Sequence, residues 1–151
     1  NRIKKHIPQV AITTDVMVGF PGESQTNFKN TLDLIKEILP LKVHIFPYSK
    51  RIGTNAFTNF KDKLNPVIVK ERISQLERIA QNCSINYRNK FLNKVMYVLI
   101  EAPSKDNPAF WEGHTDNYIR VKVLSALNLK NKLIPLKLKK IFKGYILADF
   151  G

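Results

Sequence analysis

Thr13-Thr-Asp-Val-Met-Val-Gly-Phe-Pro-Gly-Glu23, followed about twenty residues later by His44-Ile-Phe-Pro-Tyr-Ser-Lys-Arg-Ile-Gly-Thr54, decides the fold of this chain. Val10-Ala-Ile-Thr-Thr-Asp-Val-Met-Val18 is rich in β-branched residues and closes on Gly19-Phe-Pro-Gly22, so it reads as a buried strand ending in a turn. Ser24 can cap the helix that follows: Phe28, Leu32, Ile35 and Leu39 recur at steps of four, three and four, share one face, and precede Pro40, which stops the helix. Lys42-Val-His-Ile-Phe46 is then a short strand ended by Pro47. Strand, crossover helix and strand in that order form a right-handed parallel unit. A barrel of such units presents its ligand-binding loops at the strand ends.

Downstream, a polar stretch runs from Gly53 to Leu64, and Asn65-Pro66 then opens the longest helical pattern, with Asn65 as cap and Pro66 at the first helical position. Val69, Ile73, Leu76, Ala80, Cys83 and Tyr87 form one continuous apolar stripe, which places Cys83 on the packed face as a small hydrophobe rather than a reactive thiol. From about Lys94 the helical period gives way to short β-type runs: Val95–Ile100, Tyr118–Val123, Leu133–Leu138 and Gly144–Ala148. Several strands with no helical period between them predict a small barrel of the oligonucleotide-binding kind. The expected fold is therefore α/β: residues 1–93 are a partial (β/α) barrel with a long linking helix, and residues 94–151 are a small all-β domain.

Composition narrows the function. The 151 residues, 44% of them apolar, suffice for one ordinary domain or two small ones and argue against disorder. No run reaches the eighteen or so uncharged apolar residues of a membrane span, and Asn1-Arg-Ile-Lys-Lys-His-Ile-Pro8 has basic residues without an apolar segment behind them. A soluble, cytoplasmic protein is expected, and the missing initiator Met suggests a fragment. Cys83 is the only cysteine, so no internal disulfide and no cysteine-caged metal can form within the chain.

The net charge is +13, and residues 117–151 hold eight basic residues against Asp149 alone. Such a segment seeks polyanions, although a lysine-biased composition serving solubility would look the same. Two-residue alternation puts Ile119, Val121 and Val123 on one face of their strand and Tyr118, Arg120 and Lys122 on the other. The second set offers an aromatic plane for a base and two cations for phosphates, as single-stranded or looped RNA requires. It would serve equally as the solvated face of an antiparallel sheet. Repetition of the pattern in the next strand, with Lys137 and Lys139 opposite Leu136 and Leu138, tips the reading toward binding.

Other chemistries find little support. The glycines of Gly19-Phe-Pro-Gly22 do not fit a nucleotide P-loop or dinucleotide fingerprint. His6, His44 and His114 are scattered, and Glu112-Gly-His-Thr-Asp116 reads as a polar turn rather than a metal site.

Asp15-Val-Met-Val-Gly-Phe-Pro-Gly-Glu23, His44-Ile-Phe-Pro-Tyr-Ser-Lys-Arg51 with Gly53-Thr54, and Gly113-His-Thr-Asp-Asn-Tyr-Ile-Arg-Val121 together resemble the C-terminal half of a radical S-adenosylmethionine methylthiotransferase acting on tRNA. The resemblance covers nearly the whole chain. The first motif occurs broadly among radical enzymes, whereas all three in this order, ending in a basic β-domain like the family's TRAM module, are highly specific. The Phe-Pro-Tyr-Ser-Lys-Arg and Asn-Tyr-Ile-Arg-Val wordings look most like the branch that modifies threonylcarbamoyladenosine next to the anticodon. The branches acting on isopentenyladenosine or on a ribosomal protein look less similar, and a non-catalytic RNA-binding module is a further alternative.

The resemblance implies S-adenosylmethionine as cofactor and two 4Fe-4S clusters, each held by three cysteines. One cysteine cannot supply six ligands, and cluster ligation is mainly thiolate work, so both clusters would lie upstream of Asn1 and this chain alone would be inert. No catalytic or metal-ligating residue is assigned within it. Carried over position by position, Asp15, Val18 and Gly19 would line the S-adenosylmethionine site, with Gly19 allowing close backbone approach. Phe46, Pro47 and Tyr48 would contact the adenine. Asp15 could equally be a capping or salt-bridging acid at a strand rim. Lys50 and Arg51 would reach tRNA phosphate or substrate from a loop at the ligand end, and the cations of the β-domain would reach RNA. The family usually has Gly-Thr-Pro-Ala where this chain has Gly53-Thr-Asn-Ala56, which puts the loop's rigidity in question. Expected partners are the tRNA anticodon stem-loop and the N-terminal half of the same polypeptide, in a monomer.

Overall fold

The computed structural model describes residues 2–60 and 64–151. The elements run α1 (Arg2–His6), β1 (Thr13–Val18), α2 (Gln25–Ile38), β2 (Lys42–Pro47), α3 (Asn55–Asn59), α4 (Pro66–Asn89), β3 (Val95–Pro103), β4 (Phe110–Thr115), β5 (Arg120–Leu124), β6 (Leu133–Phe142) and β7 (Tyr145–Asp149). They form two compact units, one spanning Ile12–Ser84 and the other joining the stretch up to Ala11 with Ile85–Gly151; α4 runs from the first into the second.

In the first unit β1 and β2 pair in parallel, with Asp15 opposite His44 and Met17 opposite Phe46. Val16 and Val18 of β1 and Val43 and Ile45 of β2 turn toward a core completed by Phe28, Leu32 and Ile35 of α2 and by Val69, Ile73, Leu76 and Cys83 of α4. That apolar face explains why both helices lie on one side of the sheet. The opposite face, carrying Asp15, Met17, His44 and Phe46, is exposed. Ser24 caps α2 by accepting from Asn27 N, and Leu39 closes it in the left-handed conformation (φ 46°) just before Pro40. β1 begins at Thr13 rather than Val10. Asn65 Oδ1 accepts the Val67 amide at the start of α4. The buried Cys83 thiol faces the Ile35 carbonyl at 3.6 Å. Within the stretch expected to be a polar loop, Thr54 caps the short α3 by accepting the Phe57 amide. Residues 61–63 of that expected loop lie outside the described residues.

In the second unit the strands close into a barrel in the order β3-β4-β5-β7-β6, with β5 and β7 parallel and β6 returning to β3. Closure leaves no edge strand. Val98, Ile100, Ile119, Val121, Val123, Leu136, Leu138 and Ile146 fill the interior. A five-stranded closed barrel agrees with the small oligonucleotide-binding type of barrel expected from sequence. It contains one strand more than the sequence suggested, because Glu112-Gly-His-Thr115 is not a polar turn but most of β4. Gly113 there is a contact requirement: β3 bulges between Ile100 and Ala102, and a Cβ at position 113 would fall onto the Leu99 carbonyl oxygen.

Candidate functional site

The turn after β1 is built by its own glutamate. Glu23 Oε2 accepts the Gly19 amide at 2.9 Å and the Arg72 guanidinium of α4 at 2.7 Å, while the same Arg72 nitrogen donates to the Glu23 carbonyl at 2.9 Å. Arg72 is buried and lies over the Phe28 ring, 5.1 Å from its centroid. Gly19 has φ +84°, and a Cβ there would sit 2.8 Å from Val69 Cγ2, so conformation and space both demand glycine. The turn so fixed holds Phe20 edge-on to Tyr48 (5.2 Å) and Phe60 (5.5 Å).

Tyr48 follows β2, and its amide extends the strand pairing by donating to Val18 O at 2.8 Å. Its hydroxyl is buried without a hydrogen-bond partner among the described residues. The Pro47-Tyr48-Ser49 segment divides two clefts. One, of about 390 Å³, opens on the uncovered face of the sheet between Met17, Phe46, Arg51 and Thr54. The other, of about 510 Å³, lies on the α4 side between Val18, Gly19, Lys50, Val69 and Lys70.

The six residues expected at the cofactor are thus distributed. Phe46, Pro47 and Tyr48 border the first cleft with Met17, a residue the sequence reading passed over although strand alternation puts it on the same face as Asp15. Val18 and Gly19 border the second cleft, with the Val18 side chain fully buried. Asp15 lines neither; it is exposed beside His44, and no capping or ion-pair partner is seen for it among the described residues. Lys50 lies near the Phe57 ring, and Arg51 accepts the Thr54 hydroxyl on its carbonyl at 2.8 Å. Thr54 therefore fixes this loop, in which Asn55 stands where the resemblance would have a proline.

On the β-barrel the expected cations differ in what they touch. Lys122 is buried: its Nζ donates to Ser104 Oγ and Asp106 Oδ2, both at 2.8 Å, lies 3.0 Å from Glu112 Oε1 in an ionic contact, and sits 4.7 Å from the Tyr145 ring centroid. The hydrogen bond that it donates to Asp106, with that to Glu112, holds its pKa above the ordinary lysine value despite burial. Arg120 is half-exposed and also closes on Glu112, with Nε at 3.1 Å from Oε2. Burial alone would raise the Glu112 pKa, but hydrogen bonds from Ser104, Arg120 and Lys122 bring it down to about 2. Lys122 is thus not on the open face where alternation put it with the exposed Tyr118 and half-exposed Arg120, because alternation could not anticipate an acid on the neighbouring strand gathering both cations. Lys139 Nζ lies 3.3 Å from Asp149 Oδ2, while Lys137 is half-buried on β6 opposite Val95.

Tyr118 is not part of a strand. It occupies the β4–β5 turn with φ +60° and is 76% exposed. The turn is locked by Thr115, whose Oγ1 accepts the Ile119 amide and whose carbonyl accepts the Tyr118 amide, both at 3.0 Å. Asn117 anchors it further by donating to the Tyr87 hydroxyl at 3.0 Å, and that hydroxyl donates to the Gln9 carbonyl at 2.7 Å.

These features stand beside a clear similarity of sequence. Threonylcarbamoyladenosine tRNA methylthiotransferase MtaB of Bacillus subtilis (strain 168) is 33% identical over 152 residues, covering 99% of this chain and 34% of that protein. The chain is a relative of the tRNA methylthiotransferases. The tRNA-2-methylthio-N(6)-dimethylallyladenosine synthase of Fusobacterium nucleatum is 34% identical over 140 residues, 93% of the chain and 32% of that enzyme. The synthase of the same description from Desulfitobacterium hafniense (strain Y51) is 40% identical over 117 residues, 78% of the chain. This methylthiotransferase relative spans about a third of the length of the curated proteins it matches. No family model matches it. Among the described residues, no helix is long and apolar enough to cross a membrane.

Proposed function

We propose that the intact protein adds a methylthio group to C2 of N6-threonylcarbamoyladenosine next to the tRNA anticodon, with residues 1–93 ending a radical S-adenosylmethionine barrel and residues 94–151 gripping the anticodon stem-loop in the cytoplasm. The observation that carries this reading is the pairing of a strand-helix-strand unit, whose binding loops gather at one end, with a closed basic β-barrel, in a chain related over nearly its whole length to tRNA methylthiotransferases. The uncovered face of β1 and β2 fits a barrel interior, since the helices occupy the other face.

The residues present fit the cofactor. The buried, unpartnered Tyr48 hydroxyl offers a hydrogen bond, Phe46 and Tyr48 offer ring faces, and the latched Gly19 turn offers backbone at close range. S-adenosylmethionine bound here would supply a carbon radical on reduction by an iron–sulfur cluster, whose cysteine ligands would come from a part of the polypeptide other than this chain, which holds only Cys83. Within this chain, Glu23 and Arg72 orient the turn, Phe20, itself packed on Phe60, lies edge-on to Tyr48, and Lys50, Arg51 and the barrel's cations steer the polyanionic substrate.

Relatives named for dimethylallyladenosine match about as well, which favours that base as the second reading. Incubating the full-length protein, its clusters reconstituted, with tRNA carrying each modified adenosine and digesting the product to nucleosides for mass spectrometry separates them. Methylthio-threonylcarbamoyladenosine alone is the expected product. Methylthiolation of only dimethylallyladenosine, or only of a ribosomal protein, would overturn the assignment.

A further inference from the structure

Val95-Met-Tyr-Val-Leu-Ile100 is an unbroken apolar run on a strand with only one face in the barrel core. Met96, Val98 and Ile100 point inward, which leaves Val95, Tyr97 and Leu99 outside with exposures of 58%, 64% and 47%. Cross-strand pairing extends this patch, because Leu99 opposes Leu133 and Tyr97 opposes Pro135 on β6. A single-faced barrel strand should carry polar residues there, and a contiguous exposed apolar patch marks a contact surface. With Tyr118 from the β4–β5 turn, the patch lines an open cleft of about 670 Å³.

Tyr118 supplies a second and independent observation. A bulky aromatic at φ +60° is strained, and here a buried polar network holds it in place while its ring stays in solvent. A turn at this position would relax with Asn or Gly. An aromatic kept there, against conformational preference and against burial, is placed for something outside the barrel.

The chemistry of the cleft selects its occupant. Tyr97 and Tyr118 are its exposed aromatic rings, beside the buried Phe91 and the imidazole of His114, Lys94 stands at its edge, and Lys137 opposes Val95 beside it. The acid Glu101 is engaged by His114 Nδ1 at 2.9 Å, and Asp116 is the other acid of the lining. Flat aromatic faces rimmed by cations, on a chain of net charge +13, suit an unpaired nucleobase with its phosphate better than an apolar peptide. We infer that the outer face of β3, with Tyr97 and Tyr118 as stacking planes, is a binding site for an unpaired base of RNA. This site rests on the RNA-binding reading above but is separate from Arg120 and Lys122, which close on Glu112.

The test is a fluorescence titration of the 151-residue chain with an anticodon stem-loop bearing 2-aminopurine in its loop, against a fully paired hairpin of the same length. The wild type should prefer the stem-loop and quench the probe. Tyr97→Leu keeps the patch apolar but removes the ring; affinity should drop roughly five- to hundredfold with the salt slope unchanged, while Tyr97→Phe stays within about twofold of wild type. Tyr118→Asn separates function from scaffold, because it relieves the positive φ: thermal stability should hold or rise while RNA affinity falls. Equal affinity of wild type and Tyr97→Leu, with Lys137→Gln still weakening binding, would remove the stacking site and leave the RNA reading intact. A wild type that ignores the stem-loop would remove both. Self-association abolished by Tyr97→Leu, without change in RNA affinity, would assign the patch to a second copy of the chain and overturn the proposal.

Discussion

Arg72 reaches back 49 positions in sequence to place its guanidinium 2.7 Å from the Glu23 carboxylate, and both side chains are largely shielded from water. Removing one partner of a buried pair strands the other charge. Arg72→Met should therefore cost about 3–5 kcal/mol. The Arg72→Met/Glu23→Gln double variant should recover part of that loss, because no uncompensated charge is left. Urea unfolding of the four species closes the cycle, and strictly additive effects would show that the pair is not coupled.

Gly19→Ala combines a left-handed backbone with a collision against Val69 Cγ2 at 2.8 Å. A loss of about 1–3 kcal/mol is expected. Trimming the obstacle with Val69→Ala should leave the conformational part of the penalty, so Gly19→Ala should remain destabilising in that background by about 1 kcal/mol. Thermal unfolding of both pairs measures this, and complete rescue by Val69→Ala would reduce the role of Gly19 to packing.

The Glu112 cluster predicts an acid limb of stability. The folded pKa of Glu112, about 2, lies below the ordinary value of 4.5, so its contribution is complete above about pH 4.5 and is lost as the pH falls through 2. The difference amounts to about 3 kcal/mol at most. Glu112→Gln should be less stable than wild type at pH 6, and the gap between them should shrink by pH 2.5. Denaturant midpoints at the two pH values decide it; a constant gap would mean that the carboxylate is not held ionised by Arg120 and Lys122.

Where periodicity was strong the sequence could be read directly: the Ser24 cap, the α2 face of Phe28, Leu32 and Ile35, and the α4 stripe through Cys83 all stand in the structure. Two kinds of information were hidden. β4 was obscured because Glu112 and His114 point outward around a glycine whose purpose, clearance for the bulged β3, depends on a partner thirteen residues away. The fate of Arg120 and Lys122 was obscured because alternation reports which face a side chain takes and not which acid waits on the next strand. Within the candidate cofactor region, Phe46 and Tyr48 were named from their motif, whereas the latch on Glu23 needed Arg72 from another helix. Tyr97 was not singled out, because an unbroken apolar run does not reveal that one of its faces is left outside.

The barrel's lysines should separate by salt dependence. Lys122 is held between Asp106, Glu112 and the Tyr145 ring, and Lys139 by Asp149, so neither ammonium is presented to a phosphate without breaking an existing contact. Lys137 lies on the outward face of β6 opposite Val95, next to the exposed tyrosine cleft. If phosphate contacts follow presentation rather than composition, Lys137→Gln should reduce the slope of log affinity against log salt by about 1. Lys139→Gln should change it little. Lys122→Gln should leave the slope unchanged and instead lower stability by about 2–4 kcal/mol, because two acids then face each other without the ammonium. Binding isotherms of the three variants on one stem-loop across a salt series, with a denaturation curve for each, make the comparison. Three equal slope changes would show that the RNA senses only the net charge of the barrel.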